Sequence, residues 1–293
     1  MAALLLSTGI MIAPPVARAQ FPVVTTATSS RASNAVDDSC TLPASIAAGD
    51  LMFCIHGSDG SVTRTFPSPW VEIKDALCSG SACNIGVAYL IASGGETSVT
   101  VTKSVTERFS AIAIRITAAS WHGTTPPEIS TGAIGNSASP DPDSITASWG
   151  SANNLFVATI AFNNGLAGNT VTAWPTNYTA NQTQSPDISS AARVAIATRD
   201  LAAANDDPGT FTITSDQWWA GTIVVRPAAG GAAPKPVRPP IVLGARVGGV
   251  DARENVRLWP AVMRWRGSQI RYDERVWTYA RPACLEEGFC IPN

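Results

Sequence analysis

Short apolar or alternating runs separated by Gly, Asn, Asp, Ser and Pro recur along residues 20–228. Leu51-Met-Phe-Cys-Ile55 and Ala111-Ile-Ala-Ile-Arg-Ile116 are nearly continuous apolar stretches. Ser98-Val-Thr-Val-Thr102 alternates strictly, and Ile85-Gly-Val-Ala-Tyr-Leu-Ile91 lies between the two patterns. Val and Thr dominate the runs, and a period of two with β-branched residues marks strands. No stretch of ten or more residues in this body carries a convincing helical repeat. The expected fold is all-β: an antiparallel two-sheet, jelly-roll-like β-sandwich.

The body also echoes itself. Ala48-Gly-Asp-Leu-Met-Phe-Cys-Ile resembles Ala152-Asn-Asn-Leu-Phe-Val-Ala-Thr, with Leu51 and Leu155 104 residues apart. Thr65-Phe-Pro-Ser-Pro-Trp70 resembles Ala173-Trp-Pro-Thr-Asn-Tyr178. Ser98-Val-Thr-Val-Thr resembles Thr210-Phe-Thr-Ile-Thr, and Ala111-Ile-Ala-Ile-Arg115 resembles Thr222-Ile-Val-Val-Arg226. Four matches in the same order predict an internal duplication, with halves near 40–118 and 145–228. Trp70 and Tyr178 then become aromatic plugs at equivalent turns, and Arg115 and Arg226 close equivalent strands.

Composition sharpens this picture. Only 14% of the 293 residues are charged, against roughly 25% in ordinary soluble domains. Nine Trp, eight Phe and four Tyr exclude disorder throughout, and 23 Gly with 21 Pro exclude a coiled coil. The net charge of −2 hides an asymmetry: residues 1–233 hold 10 basic and 16 acidic side chains, residues 234–293 hold 10 and 6. Gly230-Gly231-Ala-Ala-Pro-Lys-Pro-Val-Arg-Pro239-Pro240 marks the boundary, flexible at its Gly end and stiffened toward polyproline II by its Pro. The expected layout is an apolar segment 1–23, a body 24–228, a linker 229–240 and a C-terminal segment 241–293. The first segment reads either as a retained apolar arm or as a secretory signal ending at Ala17-Arg18-Ala19. It is too short and too interrupted to span a bilayer.

The C-terminal segment carries Trp259, Trp265 and Trp277 among Arg257, Arg264, Arg266, Arg271 and Arg275. Trp and Arg bury area and make planar, multi-donor contacts, so this pattern predicts an assembly interface. Trp259, Arg264, Trp265, Arg266, Arg271 and Trp277 are its candidate residues. Asp251, Glu254, Asp273 and Glu274 break up the basic field, which argues against nucleic acid. Trp218-Trp219 is a second candidate interface: neighbours in a strand face opposite sides, so one ring is expected to face outward, where a protein or a sugar could meet it.

Six cysteines allow fifteen pairings. Cys78 and Cys83 bracket a four-residue tip, Cys284 and Cys290 bracket another loop, and Cys40 and Cys54 remain. A Cys78–Cys83 bridge is expected, and at least one disulfide implies exposure to an oxidising medium. Zinc is disfavoured, since Cys-x-x-Cys is absent and the only His are His56 and His122. No phosphate loop, nucleophile elbow or His-Glu-x-x-His occurs. Asp37-Asp38, Asp141-Pro-Asp143 and Asp206-Asp207 are candidate acid pairs or a Ca²⁺ loop, but their Pro/Asn/Ser-rich settings suit Asx-turns better. No catalytic residue, metal or cofactor is expected.

Leu42-Pro-Ala-Ser-Ile-Ala-Ala-Gly-Asp-Leu51, Phe66-Pro-Ser-Pro-Trp70, Val87-Ala-Tyr-Leu-Ile91, Ser148-Trp-Gly-Ser-Ala-Asn-Asn-Leu155, Trp174-Pro-Thr-Asn-Tyr178, Asp207-Pro-Gly-Thr-Phe211 and Ser215-Asp-Gln-Trp218 follow one another along residues 24–228. This ordering resembles a module of tailed-phage and prophage virion structural proteins. The resemblance implies a structural, non-enzymatic part of an extracellular particle, with copies of itself and other virion proteins as partners. A receptor- or glycan-binding module of a tail fibre or spike is the alternative, as is a secreted bacterial β-sandwich with a carbohydrate-related role.

Overall fold

The computed structural model describes residues 20–229 and, beyond them, only the backbone of four strands of two or three residues between 265 and 292. The chain divides into two compact units, Met1–Lys235 and Pro236–Asn293. The described residues of the first form fourteen strands: β1 Val24–Thr41, β2 Leu51–Asp59, β3 Arg64–Thr65, β4 Val71–Leu77, β5 Cys83–Ile91, β6 Ser98–Ile116, β7 Glu128–Ile129, β8 Ala133–Ser137, β9 Ile145–Thr146, β10 Ala152–Phe162, β11 Thr179–Gln184, β12 Arg193–Ala203, β13 Asn205–Asp206 and β14 Asp216–Val225. Among the described residues the one helical element is a 3-10 turn at Ser79–Ser81. The fold is all-β and its strand pairs are antiparallel.

One sheet runs β1-β6-β2-β5-β4, with β3 also on β6; the other runs β11-β12-β10-β14-β7, with β8 also on β14. Read from its opposite end, the second order repeats the first: β7/β8 for β1, β14 for β6, β10 for β2, β12 for β5, β11 for β4. The register of the central pair differs by two residues, an even shift that keeps the same faces inward. Leu51 stands opposite Ile91 and Ile116, and Leu155 stands opposite Asp200 and Val225. The sequence echo is therefore an echo of topology. Each half keeps its principal strands in one sheet, and the sandwich arises because two like sheets face each other.

Three apolar layers result. Leu51, Phe53 and Ile55 of β2 meet Leu155, Val157 and Ala161 of β10 in the central core between the sheets. Met52 and Cys54 point the other way, into a second cluster with Cys40, Phe66, Val99 and Val101. Phe156, Ala158, Ile160 and Phe162 likewise enter a third, with Ile145, Val171, Phe211 and Ile213. Both faces of β2 and β10 are covered, which is why these strands read as continuous apolar runs rather than alternating ones. Truncating a fully buried ring such as Phe53 or Phe156 to Ala would cost roughly 3–5 kcal/mol.

The outer cover differs between halves. In the first, the 18- and 19-residue strands β1 and β6 form one long ribbon whose register shifts between Arg31, Ala35 and Asp37. Such bulges bend a ribbon. Val24–Arg31 thus pairs with β6 in the main sheet, while Asp37–Thr41 pairs with Ser98–Thr102 and brings Cys40, Val99 and Val101 over the outward side of β2. Asp37 and Asp38, expected in an Asx-turn, are strand residues for this reason. The second half is capped instead by the β9–β13 pair and loop residues such as Phe211 and Ile213.

The covered outer faces also decide the fate of the tryptophan pair. Adjacent residues of β14 do face opposite sides, but neither ring is outward: Trp219 lies in the central core at 1% exposure and Trp218 in the outer cluster at 6%. The expectation of one exposed ring is corrected, because it assumed a wet outer face. Gly132 and Gly135 make the room, since a Cβ there would collide with the Trp219 and Trp218 rings respectively. Gly135 stands directly opposite Trp218 in the register.

Candidate functional site

The densest group of titratable side chains lies under the β1–β6 ribbon. Asp38 is fully buried. Its Oδ2 accepts from His56 Nε2 at 2.7 Å and from Lys103 Nζ at 2.8 Å, and its Oδ1 accepts from Arg31. The side chains of Asp38, His56 and Lys103 are all at 0% exposure, and Arg31 reaches solvent at 25%. His56 stacks on Phe109 with ring centroids 5.4 Å apart, and the Arg31 guanidinium covers the same ring at 5.2 Å. The strands enforce this meeting: Arg31 and Phe109 are partners across β1 and β6, and His56 lies on the outward row of β2 with Met52 and Cys54.

Burial pulls the His56 pKa down from 6.5 to about 4, against the opposing hydrogen bond to Asp38. The imidazole is therefore neutral at pH 7. Its contact with Asp38 is a hydrogen bond given by Nε2–H, since Arg31 and Lys103 already supply positive charge to the carboxylate. Nδ1 is left buried without a partner. Burial also lowers the Lys103 ammonium, with Asp38 opposing it. As a general base His56 has the right protonation state but no reachable proton to take. The arrangement ties ribbon to sheet through one buried carboxylate shared by two cations and a neutral imidazole.

Arg64 extends this polar seam. Its side chain is fully buried, packs over Gly86, and lies 3.6 Å from Asp75. At the sheet end Asp50 accepts from Ala47 N at 2.9 Å, Ala118 N at 2.8 Å and Arg115 Nε at 2.6 Å. These donors outweigh desolvation and hold its carboxyl below the ordinary range. Arg115 is thus ion-paired, whereas Arg226 donates to the Thr125 hydroxyl at 3.2 Å.

In the second half, Tyr178 Oη donates to Asp206 Oδ2 at 2.6 Å, and Arg199 Nη1 holds Oδ1 at 2.7 Å. Burial and the Asp206 carboxylate push the Tyr178 phenol far up. Trp70 and Tyr178 follow matching turns, with Trp70 N bonded to Pro67 O at 3.0 Å and Tyr178 N to Pro175 O at 3.2 Å. Both pack into the outer cluster of their own half.

The structure links Cys78 and Cys83 by a disulfide, while Cys40 and Cys54 are buried thiols. Cys284 and Cys290 stand opposite each other in a two-stranded backbone pairing of the second unit. The side chains of Trp259, Arg264, Trp265, Arg266, Arg271, Trp277, Cys284 and Cys290 lie outside the described residues. His122 is a loop residue whose Nδ1 accepts from Thr125 N and Oγ1. Asp141 is raised by burial and by the nearby Asp207 and Asp143, yet among the described residues no three His, Cys, Asp or Glu gather as a metal set. Nor is any helix among them long and apolar enough to cross a membrane.

Two shallow grooves mark the surface. One, of about 480 Å³, is lined by Pro67, Pro69, Trp70, Ser93, Glu96 and Ser98; the other, of about 410 Å³, lies between Phe21–Val24 and the Thr179–Thr198 strand pair. Neither is lined by Asp38, His56 or Lys103. Sequence reasoning missed the Asp38 cluster, since its members come from three strands and carry no common spacing. No known protein family, curated protein or solved structure matches this chain.

Proposed function

We propose that this chain is a non-enzymatic structural protein of an extracellular particle, and, on the resemblance of its turns and strands, of a tailed-phage virion. The body serves as a rigid spacer, and the Arg/Trp-rich segment 241–293 attaches it to further copies or to other virion proteins. The observation that carries this reading is the enclosure of Asp38, His56 and Lys103 at 0% exposure. The side chains best suited to proton-transfer chemistry are spent on holding a ribbon to a sheet. Charge supports the attachment, because the excess of four basic residues in 234–293 complements the excess of six acidic ones in 1–233.

Truncation after Ala233 tests it. The shortened chain stays soluble and folded but loses the oligomeric mass of the full chain in light scattering. A truncated chain that assembles normally contradicts the reading.

A glycan-binding role has one observation in its favour: Trp70 is only half-buried on the larger groove, beside Glu96 and Ser98. Glu96, however, is already held by Ser93 and Gly94. A glycan array in which the full chain binds and Trp70→Ala does not would favour this second reading.

A further inference from the structure

We propose that Cys40 and Cys54 are a second disulfide site, one that staples the outer ribbon to the main sheet once an external disulfide supplies the oxidising equivalents. The two thiols are fourteen residues apart in the chain and sit on different strands, β1 and β2. Both are at 0% exposure in the same apolar cluster, and the Cys40 side chain is near enough to Cys54 to raise its thiol. Cys40 lies in the part of β1 paired with Val99, beyond the bulge, so it belongs to the cover; Cys54, between Ala88 and Ala113, belongs to the sheet beneath. A bond here joins the two layers of the first half. It is independent of the function proposed above, which uses neither residue.

The chemistry is a thiol–disulfide exchange in two steps. One cysteine, as thiolate, attacks an external disulfide such as oxidised glutathione, forming a mixed disulfide and releasing one glutathione thiolate. The other cysteine then attacks the protein sulfur of that mixed disulfide, forming the Cys40–Cys54 bond and releasing the second. The two cysteine protons end on the two departing glutathione thiols, so two thiols are oxidised and one disulfide is reduced. Burial and the neighbouring Cys40 raise the Cys54 thiol, and full enclosure excludes the oxidant. The bond therefore forms while the chain folds, or when the ribbon lifts, and persists once covered.

The test uses the full chain, reduced and unfolded, then refolded in mixed oxidised and reduced glutathione. Remaining thiols are alkylated and mapped without reduction. The expected result is a peptide pair joining Cys40 to Cys54, with neither residue alkylated, whereas protein kept under reductant carries the label on both. Alkylation of both after oxidative refolding overturns the proposal, as does a dominant link from either one to Cys284, Cys290 or glutathione. A second measurement removes the ambiguity of a folding failure. Proteolysis within residues 31–37 is slower in the oxidised than in the reduced wild type, and this redox dependence disappears in Cys40→Ala/Cys54→Ala, which retains Cys78–Cys83. Equal redox dependence in the double variant would also overturn it.

Discussion

The outward rows of β2 and β10 occupy equivalent places in two sheets of the same strand order, yet they solve the problem of covering a sheet differently. β10 presents Phe156, Ala158, Ile160 and Phe162 to an apolar cap. β2 presents Met52, Cys54, His56 and Ser58, and only the first two are apolar. By the offset of the echo, His56 stands where the other half has Ile160. The outward row of this strand itself has no need of a buried charge. What the first half has instead of an apolar cap is a long bent ribbon, and Asp38, Lys103 and Arg31 fix where that ribbon lands. An apolar contact can slide by a residue with modest loss, whereas a buried carboxylate that must meet three donors cannot. A charge cluster suits a cover that could otherwise slip.

The halves also share a device in different chemistry. The residue before each core leucine is buried and polar. Asp50 collects two backbone N–H groups and Arg115; Asn154 gives Nδ2–H to Ala203 O at 2.7 Å and accepts from Trp149 Nε1 at 2.9 Å. One end uses a charge and the other a neutral amide to tie a loop to the strand that follows it.

Removing a partner from the cluster should have the largest effect. Asp38→Ala leaves Lys103 and His56 buried without their carboxylate, and the expected loss is about 3–5 kcal/mol, read as a lowered urea midpoint. A loss below about 1 kcal/mol would mean that the cluster is not closed to water.

The next effect is a pH dependence confined to the first half. Asp38, Lys103, Arg31 and Arg64 surround His56, whose folded pKa of about 4 lies below its ordinary 6.5. Between these values the unfolded chain holds a proton that the folded one does not. This contribution is therefore complete above pH 6.5 and is lost as pH falls toward 4, to an upper limit of about 3 kcal/mol. His56→Gln should flatten that slope in chemical denaturation. A slope unchanged by the substitution would place the titration elsewhere.

The smallest effect belongs to the second half. Asp206→Ala frees Tyr178 Oη inside its cluster but leaves Arg199, which is 25% exposed, able to meet water. The expected cost is about 1–2 kcal/mol. A cost equal to that of Asp38→Ala would erase the distinction between the halves.

Strands, turns and the duplication were legible in the sequence because they are local. Pro67-Ser-Pro-Trp70 and Pro175-Thr-Asn-Tyr178 announce matching turns, and the apolar runs announce buried strands. The first strand was not legible. Val24–Thr41 is rich in Ser, Thr, Asn and Asp, and only its fourteen pairings with β6 make a strand of so polar a stretch. The Asp38 cluster depends on that strand, so it was hidden with it. Trp218 was misjudged for a related reason: strand alternation gives the side a residue faces, but not whether that side is dry.

The central claim is that the Asp38 cluster is structure rather than chemistry, and that the second half shows how to do without it. Replacing its members by apolar residues after the pattern of β10, as Asp38→Leu, His56→Ile and Lys103→Met in one chain, tests this most directly. Unfolding free energy and oligomeric mass are measured on the same preparation. The account predicts a folded protein within a few kcal/mol of the wild type or above it, since apolar replacements of buried ion pairs are often neutral or stabilising by roughly 1–4 kcal/mol, with its assembly unchanged. A variant that folds as stably but no longer assembles would contradict the account, because the cluster would then be serving function and not the fold.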